Sequence, residues 1–138
     1  MADPKATVQR VIDGWNNKDI DAIMAEFAED AVFDNIPMEP IVGQAAIRES
    51  NAQFLAIVEK AQWEILSIAV SEDGKVLTER RDRFRLRNGI EAAIAVMGIF
   101  ELDSDGRIKH WRDYFDLTDW NRQIGMDTDM GRRAEPAK

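Results

Sequence analysis

Apolar residues recur at helical spacing near the start of the chain, where Val8, Val11, Ile12 and Trp15 form one stripe and Gly14, Asn16 and Asn17 weaken the pattern behind it. The spacing predicts an amphipathic helix. Asp19, whose carboxylate can accept from backbone N–H groups, opens a second helix with the stripe Ile20, Ile23, Met24 and Phe27. Ala31 to Ile36 reads as a short strand stopped by Pro37, and Gly43 precedes a third helix carrying Ile47, Phe54 and Val58. From Gln62 onward the chain changes to runs rich in Ile, Val and Phe, separated by Asp73-Gly74, Asn88-Gly89 and Asp105-Gly106, dipeptides suited to tight turns between paired strands. These runs predict four antiparallel strands, from Gln62 to Ser71, Lys75 to Arg87, Glu91 to Leu102 and Arg107 to Asp116, long enough to curve. Helices first and a strand meander after them give an α+β fold, with the helices closing one face of the sheet and curvature leaving room for a cavity.

Side chains alternate faces along a strand, so Val76, Thr78, Arg80, Asp82, Phe84 and Leu86 share one side, and Leu77, Glu79, Arg81, Arg83, Arg85 and Arg87 share the other. The first set carries the apolar residues and is the face for the helices. Arg80 and Asp82 therefore fall among core side chains, where charge is costly unless paired. In the last strand Asp113 shares its side with Trp111 and Phe115, and in the first Asn35 shares its side with Ala31 and Phe33. Three strands thus send polar groups inward. An arginine with two ionised carboxylates carries a net charge of about −1, and low dielectric encourages one carboxyl to keep its proton. One acid and one base result, which makes Arg80, Asp82, Asp113 and Asn35 a candidate acid–base site.

Plainer readings stay open on the residues alone. Arg80 with Asp82 also fits a partly exposed ion pair, Asp113 a strand-end cap and Asn35 a turn residue. His110 falls opposite Asp113 by parity, on the surface side. The outward arginines 81, 83, 85 and 87 suit a solvated or interfacial sheet face, and Trp15, Trp63, Trp111 and Trp120 suit core or cavity wall.

Composition narrows the chemistry. The 138 residues suit one domain, read as 1–124 with a polar, loosely held tail over 125–138. With 45% hydrophobic and 32% charged residues the chain is globular in character. Eighteen basic residues against 26 acidic ones give a net charge of −8, the wrong sign for a nucleic-acid partner. The lack of cysteine removes disulfides, thiolate zinc sites and cysteine nucleophiles, and a single histidine leaves little for a multi-histidine metal site. No apolar run follows a basic start in Met1 to Arg10, and none approaches the roughly 18–20 residues of a membrane span. The expectation is a cytoplasmic protein without a membrane partner.

Three separated segments carry a resemblance: Phe33-Asp34-Asn35-Ile36-Pro37-Met38, Leu77-Thr78-Glu79-Arg80-Arg81-Asp82, and Trp111-Arg112-Asp113-Tyr114-Phe115-Asp116-Leu117. Together with the order of helices and strands over most of Ala6 to Trp120, the chain resembles the limonene-1,2-epoxide hydrolases of the nuclear-transport-factor-two-like (SnoaL-like) superfamily. The resemblance implies a cone-shaped, curved mixed or antiparallel sheet packed against three or four helices around a deep apolar pocket. It also implies one-step opening of an epoxide by water to a vicinal diol, with no metal or organic cofactor, in a homodimer. Asp113 is then the base that activates water, Asn35 helps hold that water, Asp82 protonates the epoxide oxygen and Arg80 bridges the two aspartates. Phe54, Val58, Phe84, Ile94, Val96, Phe115 and Trp120 become wall positions for a small apolar substrate, with Phe33 beside them.

One position departs from the family pattern, because Phe33 stands where the family's water-holding tyrosine sits. Two groups rather than three then hold the water, and one neutral hydrogen bond lost costs ~0.5–1.5 kcal/mol, or roughly 2–13-fold in rate. Two other readings therefore accompany the hydrolase: a SnoaL-like isomerase or cyclase that uses an aspartate for proton transfer, and a non-catalytic protein that binds an apolar ligand.

Overall fold

Asp3 starts the first helix by accepting from the Lys5 amide at 3.0 Å, with Pro4 placed in the first turn where its missing N–H costs nothing. The computed structural model describes residues 3–134. Its elements run α1 (Pro4–Asn16), α2 (Ile20–Met24), β1 (Phe27–Asn35), β2 (Ile41–Val42), α3 (Gln44–Ile57), β3 (Val58–Val70), β4 (Val76–Leu86), β5 (Glu91–Leu102), β6 (Ile108–Tyr114) and α4 (Leu117–Ile124). The six strands form one curved, open sheet in the order β2-β1-β6-β5-β4-β3. Only the β1–β6 pair is parallel; the β3 to β6 meander is antiparallel throughout. The fold is α+β and cone-like, with α1 against β3, α3 against β1 and α4 against β5.

The stripe Val8, Val11, Ile12 and Trp15 is buried. A side chain at Gly14 would press on Ile23 Cγ1 at 2.9 Å, so glycine there lets α2 lie close across α1. Asp19 caps α2, accepting from the Ala22 amide at 3.1 Å. That helix is shorter than its apolar stripe suggests, since Phe27 begins β1. Phe27 pairs with Ile108 in β6 and is fully buried against Trp111, and this tertiary pairing overrides the local helical period. Strand β1 accordingly starts before Ala31.

Helix α3 likewise ends before its expected last stripe position. Val58 pairs with Leu86 at the start of β3 and is fully buried in the core, so it belongs to neither the helix nor the cavity wall. In β4 alternate residues from Val76 to Leu86 are buried while Arg81, Arg83 and Arg85 are exposed. Two elements have no counterpart in the apolar pattern: the two-residue edge strand β2 and the short helix α4, whose Asp116 cap accepts from the Asp119 amide at 3.0 Å.

Residues 126–134 are tied to the body of the fold. The Arg133 amide donates to the Pro37 carbonyl at 2.7 Å, and Arg132 forms a bridge with Met38. Residues 135–138 of the expected tail lie outside the described residues. Among the described residues no helix is long and apolar enough to cross a membrane.

Candidate active site

Arg80 is fully buried, and all five of its N–H groups have acceptors. Nε donates to Asp82 Oδ1 at 3.1 Å, and Nη2 is shared by Asp82 Oδ2 at 3.0 Å and Asp113 Oδ2 at 2.7 Å. Nη1 donates to Asp113 Oδ1 and to Thr78 Oγ1, both at 3.1 Å. The planar fork thus grips two carboxylates side by side, a geometry that a lysine ammonium does not offer. Sheet register makes this possible. Arg80 and Asp82 stand two apart on one face of β4, and Gly98 of β5 pairs with Thr78 on one side and Asp113 of β6 on the other. The site is no exposed ion pair, since Asp82 and Asp113 are only 3% and 4% exposed.

Trp111 adds a further donor, its indole Nε1 lying 2.6 Å from Asp113 Oδ1. Asp113 therefore receives three N–H donors and Asp82 two. Burial pushes the Asp82 carboxyl up to about 6, against the charge and hydrogen bonds of Arg80 and with help from the charge of Asp113. Burial alone lowers the Arg80 pKa, but Asp113 and Asp82 more than reverse this and keep the guanidinium charged. With a proton on one carboxyl, the trio is electrically neutral inside an apolar setting. Trp63 and Trp111 flank the guanidinium, with ring centroids 5.0 Å and 5.7 Å from its central carbon.

Asp82 and Asp113 open onto a cavity of about 220 Å³. Asn35 lies on the same wall, brought beside Asp113 because the two residues are partners in the parallel β1–β6 register. Phe33, Phe54, Phe84, Ile94, Val96, Phe115 and Trp120 all line this cavity. Val58 does not. Trp15 and Trp63, stacked at 4.7 Å, complete the wall, while Trp111 is wholly buried behind it. His110 lies away from the cavity, half-exposed on the other side of β6, where Nδ1 is 3.2 Å from Arg112 Nη1.

Several contributors escape the sequence pattern. Met38 and Ile41 enter from the β1–β2 turn and edge strand, and Ser50 and Asn51 from α3. Gly98 is more telling: a Cβ there would collide with Arg80 Nη1 and Asp113 Oδ1. Thr78 passes the network on, donating from Oγ1 to the Gly98 carbonyl at 3.2 Å. Its parity beside Arg80 is visible in the sequence, but its partner across β5 is not. Among the described residues, no group of three His, Cys, Asp or Glu side chains is placed to hold a metal ion.

The arrangement places two carboxyl groups, held by one cation, at the edge of an apolar chamber. The family model described as the limonene-1,2-epoxide hydrolase catalytic domain matches residues 2–125. The chain is 32% identical over 113 residues to the epoxide hydrolase EphG of Mycobacterium tuberculosis, covering 81% of this chain and 72% of that protein. The solved structure of an M. tuberculosis epoxide hydrolase of the same type superposes with a TM-score of 0.76 at 29% identity, over 88% of each chain. SalBIII, an epoxide hydrolase/cyclase-like enzyme with a role in pyran ring formation in the polyether salinomycin, superposes with a TM-score of 0.76. It covers 84% of this chain and 92% of its own, at 23% identity, and so speaks for the fold alone.

Proposed function

This chain belongs to the limonene-1,2-epoxide hydrolase family, and we propose that it adds water to a small apolar epoxide in one step to give a vicinal diol. The observation that carries the reading is the pair of carboxylates bridged by Arg80, one of them raised toward neutrality, facing an apolar cavity that also carries Asn35. Asp113 takes a proton from a water held by the Asn35 amide, and the water oxygen attacks an epoxide carbon. As that carbon–oxygen bond breaks, Asp82 gives its proton to the departing epoxide oxygen, so no free alkoxide forms. The product has gained one water. The proton now on Asp113 returns to Asp82 through a cavity water before the next turnover, and Arg80 holds both carboxyls in place throughout.

Cavity size and lining support the substrate class. A volume of about 220 Å³ lies below the ~300–1,000 Å³ of drug-sized ligand sites. Phe54, Phe84, Phe115 and Trp120 offer aromatic surface and no cation for a phosphate or carboxylate, which favours a terpene-like or small cyclic epoxide. A second reading, aspartate-driven isomerisation or cyclisation, is favoured by one observation: Phe33 offers the water no hydroxyl.

Turnover of a panel of small apolar epoxides in oxygen-18 water, followed by mass spectrometry, separates the two. Hydrolysis places one solvent oxygen in a diol, and Asp113→Asn abolishes it. A product of unchanged mass carries the isomerase or cyclase reading, and labelled diol at an undiminished rate from Asp113→Asn removes Asp113 as the base.

A further inference from the structure

Asn35 is bracketed by contacts from a distant part of the chain. Arg133 donates through Nη2 to the Asp34 carboxylate, immediately before Asn35, and through Nε to the Met38 carbonyl at 2.8 Å, three residues after it. Its amide donates to the Pro37 carbonyl at 2.7 Å, and the Ala134 amide reaches Glu39 Oε1 at 3.2 Å. At its other end the same segment is tied to α4. Asn121, 2% exposed, donates through Nδ2 to the Thr128 and Met130 carbonyls at 3.2 Å and 3.0 Å, and Arg132 Nη2 donates to Thr118 Oγ1 at 2.7 Å. Asn121 follows Trp120 directly, and Trp120, Asn35 and Met38 all line the cavity.

Residues 126–134 therefore connect two pieces of the cavity wall that no strand pairing joins. We infer that they act as a strap that positions Asn35 and Met38 against Asp113, with Arg133 as the positioning residue and Asp34 as its counter-charge. The inference rests on the reading of Asn35 as a holder of the attacking water. Asp34 points away from the cavity by strand parity and is nonetheless nearly buried, at 8% exposure, so its charge needs a partner, and Arg133 supplies it. The inner bonds are the ones that aim Asn35: Ile36 N donates to the Asp113 carbonyl at 2.9 Å and Met38 N to the Asn35 carbonyl at 2.6 Å. Arg133 clamps the turn from outside those bonds. The strap lies beyond residue 125, where the match to the family model stops.

The test pairs Arg133→Ala with Asn35→Ala in the full chain. With a turned-over epoxide, Arg133→Ala is expected to lower kcat by roughly 10- to 100-fold through misplacement of the water, and to lower it little further once Asn35 is alanine. Losses that multiply in the double variant overturn the inference, because a merely structural Arg133 acts whether or not Asn35 is present. Amide hydrogen exchange gives a readout independent of chemistry: Ile36 and Met38 should exchange faster in Arg133→Ala while the Arg80 amide does not. If the unaltered protein opens no epoxide, faster exchange at these two amides keeps the strap while the proposed function falls, and unchanged exchange removes the strap. Should Arg133→Ala not fold, Arg133→Lys, with a single cationic head for the two side-chain acceptors Asp34 and Met38, is expected to lie between the unaltered protein and a released turn. Behaviour identical to the unaltered protein in both rate and exchange overturns the inference.

Discussion

The Phe33 ring lies flat on the Trp111 indole, with centroids 4.7 Å apart and planes 4° from parallel. Trp111 in turn donates to Asp113, so the ring standing where the family resemblance implies a tyrosine packs on the residue that orients the proposed base. A tyrosine keeps the same stacking ring and adds only a hydroxyl at its far edge. Phe33→Tyr is therefore expected to raise kcat on an epoxide by roughly 2–13-fold, the worth of one neutral hydrogen bond to the water. Steady-state kinetics of the two proteins check it, and an unchanged or lower kcat argues that the water does not sit in reach of position 33.

Asp82, raised to about 6, imposes a pH dependence with a definite sign. In its proposed role of general acid it must carry its proton, so kcat/KM should fall as pH rises through about 6, and this alkaline limb should vanish together with the activity in Asp82→Asn. Stability follows the same direction. A carboxyl whose folded pKa lies above its ordinary value of 3.8 contributes stability fully below that value and loses it as pH rises through about 6. Thermal melts of the unaltered protein and Asp82→Asn between pH 4 and pH 8 should therefore show the steeper alkaline decline in the unaltered protein. Parallel melting curves would place the titration elsewhere.

How far the site is legible in the sequence depends on which contacts carry it. Strand parity alone places Arg80 and Asp82 on the inner face, because alternation along β4 is unbroken from Val76 to Leu86. The same parity turns Asp113 inward and His110 outward. Parity cannot say that the three charged groups meet, which depends on the register of β5 between β4 and β6. It fails at Phe27 and Val58, where a helical stripe continues in apolar residues that tertiary pairing claims for strands. The strap is invisible for a different reason. Its bonds join Arg133 to Met38 and Asp34 across separations of 95 and 99 residues, through polar groups with no periodicity to betray them.

Arg80 is the group whose loss should hurt stability most. Arg80→Met fills similar space but leaves two buried carboxyls without their cation and removes five hydrogen bonds. Breaking a buried ion pair from one side costs about 3–5 kcal/mol. Arg80→Lys, which restores charge but not the fork, should recover part of that and little activity. Chemical denaturation of the three proteins at one pH gives the order directly, and a methionine variant as stable as the unaltered protein would show that both carboxyls tolerate neutrality.

Gly98 sets a tighter test because it carries no chemistry of its own. Its hydrogen faces the hydrogen-bonded pair Arg80 Nη1 and Asp113 Oδ1, and Thr78 Oγ1 lies 3.1 Å from where a Cβ would stand. A methyl group there must push apart the guanidinium and the carboxylate, since the strand backbone is fixed by its pairing on both sides. Overpacking of this kind costs about 1–3 kcal/mol in stability. The loss of rate should be larger than stability alone predicts, roughly 100-fold if the carboxylate moves by about an ångström. Gly98→Ala, assayed well below its melting temperature so that the folded fraction is complete, separates the two effects. A full rate from a folded Gly98→Ala would mean that the Arg80–Asp113 contact can open without cost to the reaction, and the bridged pair would then lose its place in the mechanism.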